Sequence, residues 1–259
     1  TLALKKGAVA QQLVTGKDGT AVSRKLYLGR YHVTETEAPQ GYVRKDTAAG
    51  NTRTVTLSYR GPEIREYVSE EQVFENERPK MQVTVFKRSE NTQKGLAGAR
   101  FGLYAGENIL SDGNRIAAKD TLLALAYSKK DGSCLFDADV PCGYRYYVKE
   151  IQAPDKYFMS EAVYEFYYEY KDDSTYTYTF ENEFKNEEVR GEVHVSKIDK
   201  DTQEFLPQGD AKLEGARYGI YAAEDIEYPN KKSGIVHKNG ELVAQGTISS
   251  EGTVDFTNL

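Results

Sequence analysis

A lysine, a glutamate and an asparagine occupy positions that the alternation of predicted strands turns toward apolar neighbours. Lys87 follows two valines at a spacing of two residues, Glu150 follows a tyrosine and a valine in the same way, and Asn186 follows a phenylalanine. Because side chains alternate between the two faces of a strand, all three are predicted to point into a core. A polar group buried without a partner costs roughly 2–7 kcal/mol, so we expect the three to form one buried group.

These residue types support two interpretations. The simpler one is a buried ion pair of Lys87 and Glu150, hydrogen-bonded to Asn186, which would add little net stability because desolvation cancels much of the attraction. The other is covalent chemistry. Burial favours the neutral, nucleophilic amine of a lysine, which can attack an asparagine carboxamide while a glutamate carries the proton and ammonia leaves. The product would be an isopeptide bond between Lys87 and Asn186, with Glu150 as the catalytic residue.

The segments that carry these residues repeat along the chain. YHVTETEAPQGY matches YVKEIQAPDKY, FENERPKMQVTVFK matches FKNEEVRGEVHVSK, and GLAGARFGLYA matches KLEGARYGIYA. The repeat is about 110 residues long, which is typical of a β-sandwich module. The equivalent residues are Glu35 and Glu150, Asn76 and Asn186, and Lys87 and Lys197. Asn182 is a competing acceptor, but Asn186 is preferred because its distance to the next lysine copies that from Asn76.

The repeats predict an all-β chain of tandem Ig-like or transthyretin-like β-sandwich modules with incomplete end modules. Residues 79–188 form a complete middle module, residues 1–78 the C-terminal part of a first module, and residues 189–259 the N-terminal part of a third. Glu35 and Asn76 are therefore expected to lack their lysine, and Lys197 to lack both of its partners. Most segments alternate with the period of a strand, and a short helix is predicted over 120–126.

Two cysteines flank the run LFDADVP. In a hairpin centred near Ala138, Cys134 and Cys142 would stand opposite each other, so a cross-strand disulfide is geometrically allowed. Two free thiols in one hairpin fit the sequence equally well, and no histidine neighbours either cysteine in the sequence.

Composition excludes several classes of function. The formal charge of -6 is opposite to the basic stripe that nucleic-acid binding requires. No apolar run is long enough for a membrane helix, so membrane insertion is not expected of these residues. Zinc, calcium and phosphate-loop motifs are missing, so no metal or cofactor is predicted. An enzyme acting on an external substrate is poorly supported, because the reactive residues point inward.

Four motifs together resemble the Cna_B-type domains (SpaA-like, collagen-adhesin B-region) of Gram-positive surface proteins and pilins. The motifs are Val85–Lys87, Leu96–Tyr104, Tyr147–Glu150 with the Ala-Pro that follows, and Phe184–Asn186. The family's Pro-x-Gly-Tyr ending is kept at Pro39–Tyr42, whereas Lys156 replaces the glycine in the middle module. The resemblance implies an extracellular, cell-wall-anchored location and autocatalytic crosslinks of the Lys87–Asn186 kind, in a protein that is otherwise not an enzyme.

The function expected from the residues and the resemblance is that of a structural and adhesive stalk segment. Its partners would be the neighbouring modules of the same surface protein. The alternative is a ligand-binding adhesin module that recognises a host extracellular-matrix protein or a glycan. In that case the binding surface would be formed by loops or by the tyrosine-rich segment 164–178.

Overall fold

The computed structural model describes residues 4–44, 51–63, 69–111 and 113–259. Every element whose bounds fall within these ranges is a β-strand, as the alternating sequence predicts. The chain divides into two compact units, one of residues 1–78 with 172–174 and the other of residues 79–171 with 175–259.

The first unit contains one antiparallel ladder. Strands β1 (Gly29–Thr34) and β2 (Thr52–Leu57) pair along their whole length. Beyond β1, the backbone N–H of Val43 donates to the carbonyl oxygen of Glu77 at 2.8 Å, in an isolated antiparallel bridge. This bridge brings the end of the first module beside the segment that follows β1.

The middle module is a sandwich of two sheets. The four-stranded sheet has the order β10-β9-β4-β7 and the three-stranded sheet the order β11-β3-β8. Strands β5 and β6, which lie between β4 and β7 in the sequence, form a separate hairpin. The bounds are β3 (Lys80–Ser89), β4 (Arg100–Ala105), β5 (Ile109–Ser111), β6 (Asn114–Ala117), β7 (Leu122–Tyr127), β8 (Ser133–Ala138), β9 (Tyr144–Gln152), β10 (Val163–Tyr168) and β11 (Thr177–Asn186).

The core lies between these two sheets. Val83, Val85, Phe101, Tyr146 and Val148 are all buried in it, and they come from strands of both sheets. The alternation of buried and exposed residues along β3 and β9 confirms the predicted facing of both strands. The core therefore extends along the faces that carry the polar residues singled out from the sequence.

The first and last strands of the middle module are neighbours. β11 runs parallel to β3, with Phe184 opposite Lys87 and Asn186 opposite Ser89. Two parallel neighbours need a long connection, and here the rest of the module supplies it. A side chain on β11 can therefore contact one on β3 although almost the whole module separates them in sequence.

The third module repeats three ladders of the middle one. β12 pairs with β17 as β3 pairs with β8, β13 pairs with β16 as β4 pairs with β7, and β14 pairs with β15 as β5 pairs with β6. The strands are β12 (Val193–Ser196), β13 (Arg217–Tyr221), β14 (Ile226–Glu227), β15 (Ile235–His237), β16 (Leu242–Thr247) and β17 (Thr253–Phe256).

Two expectations about local structure are wrong. The helix predicted over 120–126 is replaced by β7, which pairs with β4, because a short apolar run fits a buried strand as well as a helix. The hairpin predicted around Ala138 does not form: β8 pairs with β3, whereas β9 lies in the other sheet. Cys134 and Cys142 therefore do not face each other across a ladder, and no disulfide joins them.

Candidate functional site

The three residues predicted to meet in the core come from both sheets of the middle module. Lys87 lies on β3, Glu150 on β9 and Asn186 on β11. Their exposed fractions are 0%, 3% and 2%, so water is excluded from all three side chains. These polar residues point inward because they lie at a spacing of two residues from valines and aromatic residues on the same face of each strand.

The three side chains form a closed hydrogen-bonded triangle. Nζ of Lys87 lies 3.2 Å from Oε2 of Glu150 and donates a short hydrogen bond to Oδ1 of Asn186. Nδ2 of Asn186 donates to Oε1 of Glu150 at 3.0 Å. Each carboxylate oxygen of Glu150 thus contacts a different nitrogen, one on the lysine and one on the asparagine.

Aromatic rings surround the lysine amine. Nζ of Lys87 lies 5.7 Å from the ring centroid of Phe101 and 6.0 Å from that of Phe184. The two rings contact each other at a centroid distance of 5.0 Å. Burial among these groups lowers the pKa of Lys87 below the ordinary 10.5, against the opposing effect of the Glu150 carboxylate. The environment therefore favours the unprotonated amine more than water does.

The backbone of Lys87 is held by two glycine-bearing segments. Its N–H donates to the carbonyl oxygen of Gly132 at 2.8 Å, and its carbonyl oxygen accepts from Leu96 at 2.9 Å. A Cβ on Gly132 would lie 2.3 Å from the carbonyl oxygen of Lys87, and one on Gly95 would lie 2.1 Å from the carbonyl oxygen of Asp131. Only glycine allows such close contacts. The Asp131-Gly132 turn therefore packs directly against the backbone of Lys87.

Sequence reasoning missed two further parts of the site. The backbone N–H of Ser160, in the loop after β9, donates to Oε2 of Glu150 at 2.8 Å. At the end of β3, the buried carboxylate of Glu188 accepts hydrogen bonds from Ser89 at 3.1 Å and Asn91 at 2.8 Å. A backbone donor carries no residue signature. Glu188 lies within a repeated segment but is not itself repeated, because Arg78 stands at its equivalent position.

The incomplete modules keep parts of this arrangement. In the first unit, Nδ2 of Asn76 donates to Oε1 of Glu35 at 2.8 Å. In the third module, Lys197 is half-buried and its N–H donates to Gly252 at 2.8 Å, as Lys87 does to Gly132. Glu35, Asn76 and Lys197 therefore occupy the places that the repeats assigned to them.

Two asparagines were candidate acceptors for the lysine. Asn182 lies on β11 opposite Val85 and is half-buried. In the described part of the chain, the side-chain hydrogen bond of Lys87 to an asparagine goes to Asn186. The geometry thus agrees with the preference that the repeat spacing gave.

The remaining candidates, a reactive thiol, a metal site and a membrane helix, find no support in the described residues. Burial raises the pKa of Cys134 to about 12, which keeps this thiol protonated and unreactive. Among the residues that the structure describes, no group of three or more His, Cys, Asp and Glu side chains could hold a metal ion. Within the same ranges, no helix has the length and hydropathy that crossing a membrane requires.

Comparison with known families gives one match. The model of the SpaA prealbumin-like fold domain matches residues 1–61 and 81–184, which include β1 to β10 and most of β11. No curated protein matches the chain.

Several solved structures are similar to the chain. The Bacillus anthracis TIE protein matches with a TM-score of 0.59 at 22% identity, over 95% of this chain and 37% of that protein, which shows a shared fold. The major pilin BcpA of Bacillus cereus matches with a TM-score of 0.30 at 15% identity, over 43% of this chain and 31% of the pilin. The major pilin SpaD of Corynebacterium diphtheriae matches with a TM-score of 0.33 at 17% identity, over 46% and 32%. The chain thus spans little more than a third of these proteins at most.

Proposed function

Because the chain belongs to the SpaA family of prealbumin-like fold domains, we propose that it is a stalk segment of a cell-surface protein whose middle module crosslinks itself. The crosslink is an isopeptide bond between Lys87 and Asn186. The observation that carries the proposal is the buried triangle in which Glu150 contacts the nitrogens of both partners. The same three residues as a permanent ion pair would add little stability.

In the proposed reaction each of these atoms has a role. The unprotonated Nζ of Lys87 attacks the side-chain carbonyl carbon of Asn186, and a carbon–nitrogen bond forms. Oε2 of Glu150 takes one proton from Nζ, and the carboxyl group returns one proton through Oε1 to Nδ2 of Asn186. The bond from that carbon to Nδ2 then breaks and ammonia leaves. Glu150 ends the reaction unchanged, and the reaction occurs once in each molecule.

Site construction favours this reaction over hydrolysis. The amine already contacts the carboxamide through Oδ1, so the two reactants are held together before the reaction. Since the three side chains are buried, water has little access to the carbonyl carbon. The N–H of Ser160 donates to Oε2 of Glu150, whereas Asn186 donates to Oε1, so both carboxylate oxygens are held in place.

The position of the bond suits a load-bearing module. Tension enters the middle module through β3 and leaves it through β11, because these are its first and last strands. A bond between Lys87 and Asn186 passes this tension directly from one strand to the other. The residues between them then carry none of the load, and the hydrogen bonds of both sheets are spared.

A surface location is part of the same proposal. The domain family and the Cna_B-type motifs support an extracellular stalk or pilin-like role on a Gram-positive cell wall. We further propose that neighbouring modules of the same protein are the immediate partners of this segment.

Single-molecule stretching of the chain tests the mechanical role. Without a crosslink, unfolding of the middle module should extend the 99-residue stretch of chain between Lys87 and Asn186, which is roughly 340 Å long at about 3.4 Å per residue. The crosslinked chain should not show this extension, whereas a Lys87→Ala variant should show it. Release of this length from the unmodified chain would refute the load-bearing role.

A further inference from the structure

The outer face of the four-stranded sheet carries a pair of stacked tyrosines. The rings of Tyr104 on β4 and Tyr147 on β9 lie 5.0 Å apart and nearly parallel, at 8°. Tyr104 rests over Gly102, where a Cβ would lie 2.5 Å from its ring. Nζ of Lys149 lies 5.0 Å from the centre of the same ring. The stacked pair, which we call the aromatic platform, lies outside the core, and each ring covers one face of the other.

An open groove of about 550 Å³ runs beside this platform. Three cationic side chains line it: Lys119 before β7, and Arg145 and Lys149 on β9. Within the described ranges, none of the three makes a salt bridge. The guanidinium of Arg145 lies 5.7 Å from the ring centre of Tyr167, which orients it without neutralising it. The carboxylates of Asp120 and Glu165 line the groove as well, so its three positive and two negative side chains give a formal charge of +1.

The platform is held in place by Asp120. Its carboxylate accepts a hydrogen bond from the hydroxyl of Tyr147 at 3.1 Å. Burial, and next the bond to Asp120, raise the pKa of Tyr147 to about 12, so the hydroxyl stays a donor. The backbone of Asp120 has a φ of 66°, which is uncommon for residues other than glycine.

We propose that this groove binds an oligosaccharide that contains uronic acid. A pyranose ring presents apolar C–H groups that pack against aromatic side chains, and Tyr147 is the aromatic residue that lines the groove. The planar fork of Arg145 matches a sugar carboxylate in two parallel hydrogen bonds. Glu165, opposite Tyr147 on the edge strand β10, accepts hydrogen bonds from sugar hydroxyls.

Of the tyrosine-rich segment 164–178 that the sequence offered as a ligand face, Glu165 lines this groove and Tyr167 contacts Arg145. Tyr168 and Tyr178 of that segment are buried and pack against each other in the core, at a centroid distance of 5.1 Å. The groove also lies on the opposite face of β9 from Glu150, so binding does not depend on the proposed crosslink.

Isothermal titration of the full chain with a hexamer of galacturonic acid tests the proposal. Arg145→Gln should weaken binding about tenfold or more, the loss expected for a hydrogen bond between charged groups. Lys185→Gln removes one positive charge from an exposed position on β11, in the other sheet, and should leave the affinity unchanged. Far-UV circular dichroism checks that both variants are folded.

Two further probes separate the alternatives. A neutral maltohexaose should bind at least tenfold more weakly than the uronate, because it lacks the carboxylates that Arg145 recognises. A hexapeptide of glutamate should also bind more weakly, because it offers no sugar ring to Tyr147. The proposal is overturned if the uronate does not bind, if either control probe binds as well, or if both variants lose affinity equally.

Discussion

The side-chain amide of Asn76 donates to the carboxylate of Glu35 at 2.8 Å, the same bond that Asn186 makes to Glu150 at 3.0 Å. In the middle module Lys87 completes the site, and the pair is fully buried. The pair in the first unit is only partly buried. One chain thus contains all three residues at one place and, in the part of the first unit that the structure describes, the glutamate and asparagine at a second.

The two glutamates provide a matched pair of variants. Glu150→Ala should give a chain with the full mass of its sequence, because no group then carries the proton from Lys87 to the leaving nitrogen. Glu35→Ala should still lack the mass of one ammonia, since no hydrogen bond or ion pair joins Glu35 to a lysine within the described residues. Denaturing intact-mass spectrometry distinguishes the two. An ammonia deficit that persists in Glu150→Ala, or disappears in Glu35→Ala, would exclude the assigned role.

Loss of the bond should lower stability substantially. Asn186→Ala opens a closed loop of 99 residues, and a covalent tie over about 100 residues contributes about 4.7 kcal/mol by restricting the unfolded chain. Asn182→Ala, four residues earlier on the same strand, should change the free energy of unfolding by about 1 kcal/mol or less. Urea denaturation measures both. Equal losses in the two variants would mean that the covalent tie is absent.

Lys87 should make stability depend on pH where it cannot react. In Asn186→Ala the amine persists, and burial lowers its folded-state pKa below the 10.5 of an ordinary lysine. At pH values between the lowered pKa of the folded chain and 10.5, the amine is protonated in the unfolded chain but not in the folded one. The free energy of unfolding therefore rises with pH over this range and levels off above 10.5. Urea denaturation at a series of pH values measures this rise.

The control for this pH dependence is Asn186→Ala combined with Lys87→Met. Methionine does not titrate, so the rise contributed by the amine should disappear. If both variants show the same dependence on pH, Lys87 does not titrate in the way that its burial requires.

Two glycines with the same φ distinguish the cost of backbone strain from the cost of a steric overlap. Gly132 and Gly143 both have a φ of 86°. Gly143→Ala meets no atom within 4 Å and should cost about 1–2 kcal/mol, the cost of a left-handed conformation. Gly132→Ala should cost about 1–3 kcal/mol more, because its Cβ would overlap the carbonyl oxygen of Lys87.

The effect on the reaction should follow the effect on stability. Gly132→Ala displaces the backbone that carries the amine, so the ammonia deficit should develop more slowly after refolding of denatured chains that have not yet reacted. Gly143→Ala should leave this rate unchanged. Time-resolved intact mass measures it, and equal rates would show that the Asp131-Gly132 turn does not position Lys87.

The inward facing of the reactive residues could be predicted because strand alternation leaves only two choices. Lys87 follows Val83 and Val85 at a spacing of two, and the structure buries all three. The repeat then identified Glu35 and Asn76 as a second pair, which are hydrogen-bonded. Local periodicity and internal repetition are both recorded in one sequence, so these features needed no tertiary information.

Features that depend on which strands become neighbours were harder to predict. The predicted hairpin around Ala138 failed because β8 and β9 diverge into different sheets. The predicted helix over 120–126 failed because pairing with β4 decides between two local structures that the leucines allow. The bond from Ser160 to Glu150 and that from Tyr147 to Asp120 join a loop to a strand and have no counterpart in the repeats.

The most direct test of the crosslink is the intact mass of the unmodified 259-residue chain under denaturing conditions. The buried contact of Lys87, Glu150 and Asn186 predicts a mass below that of the sequence by one ammonia. Tandem mass spectrometry of a digest should then place the deficit in a branched peptide that joins Lys87 to Asn186. A mass equal to that of the sequence would contradict the account and leave the three residues as a buried ion pair.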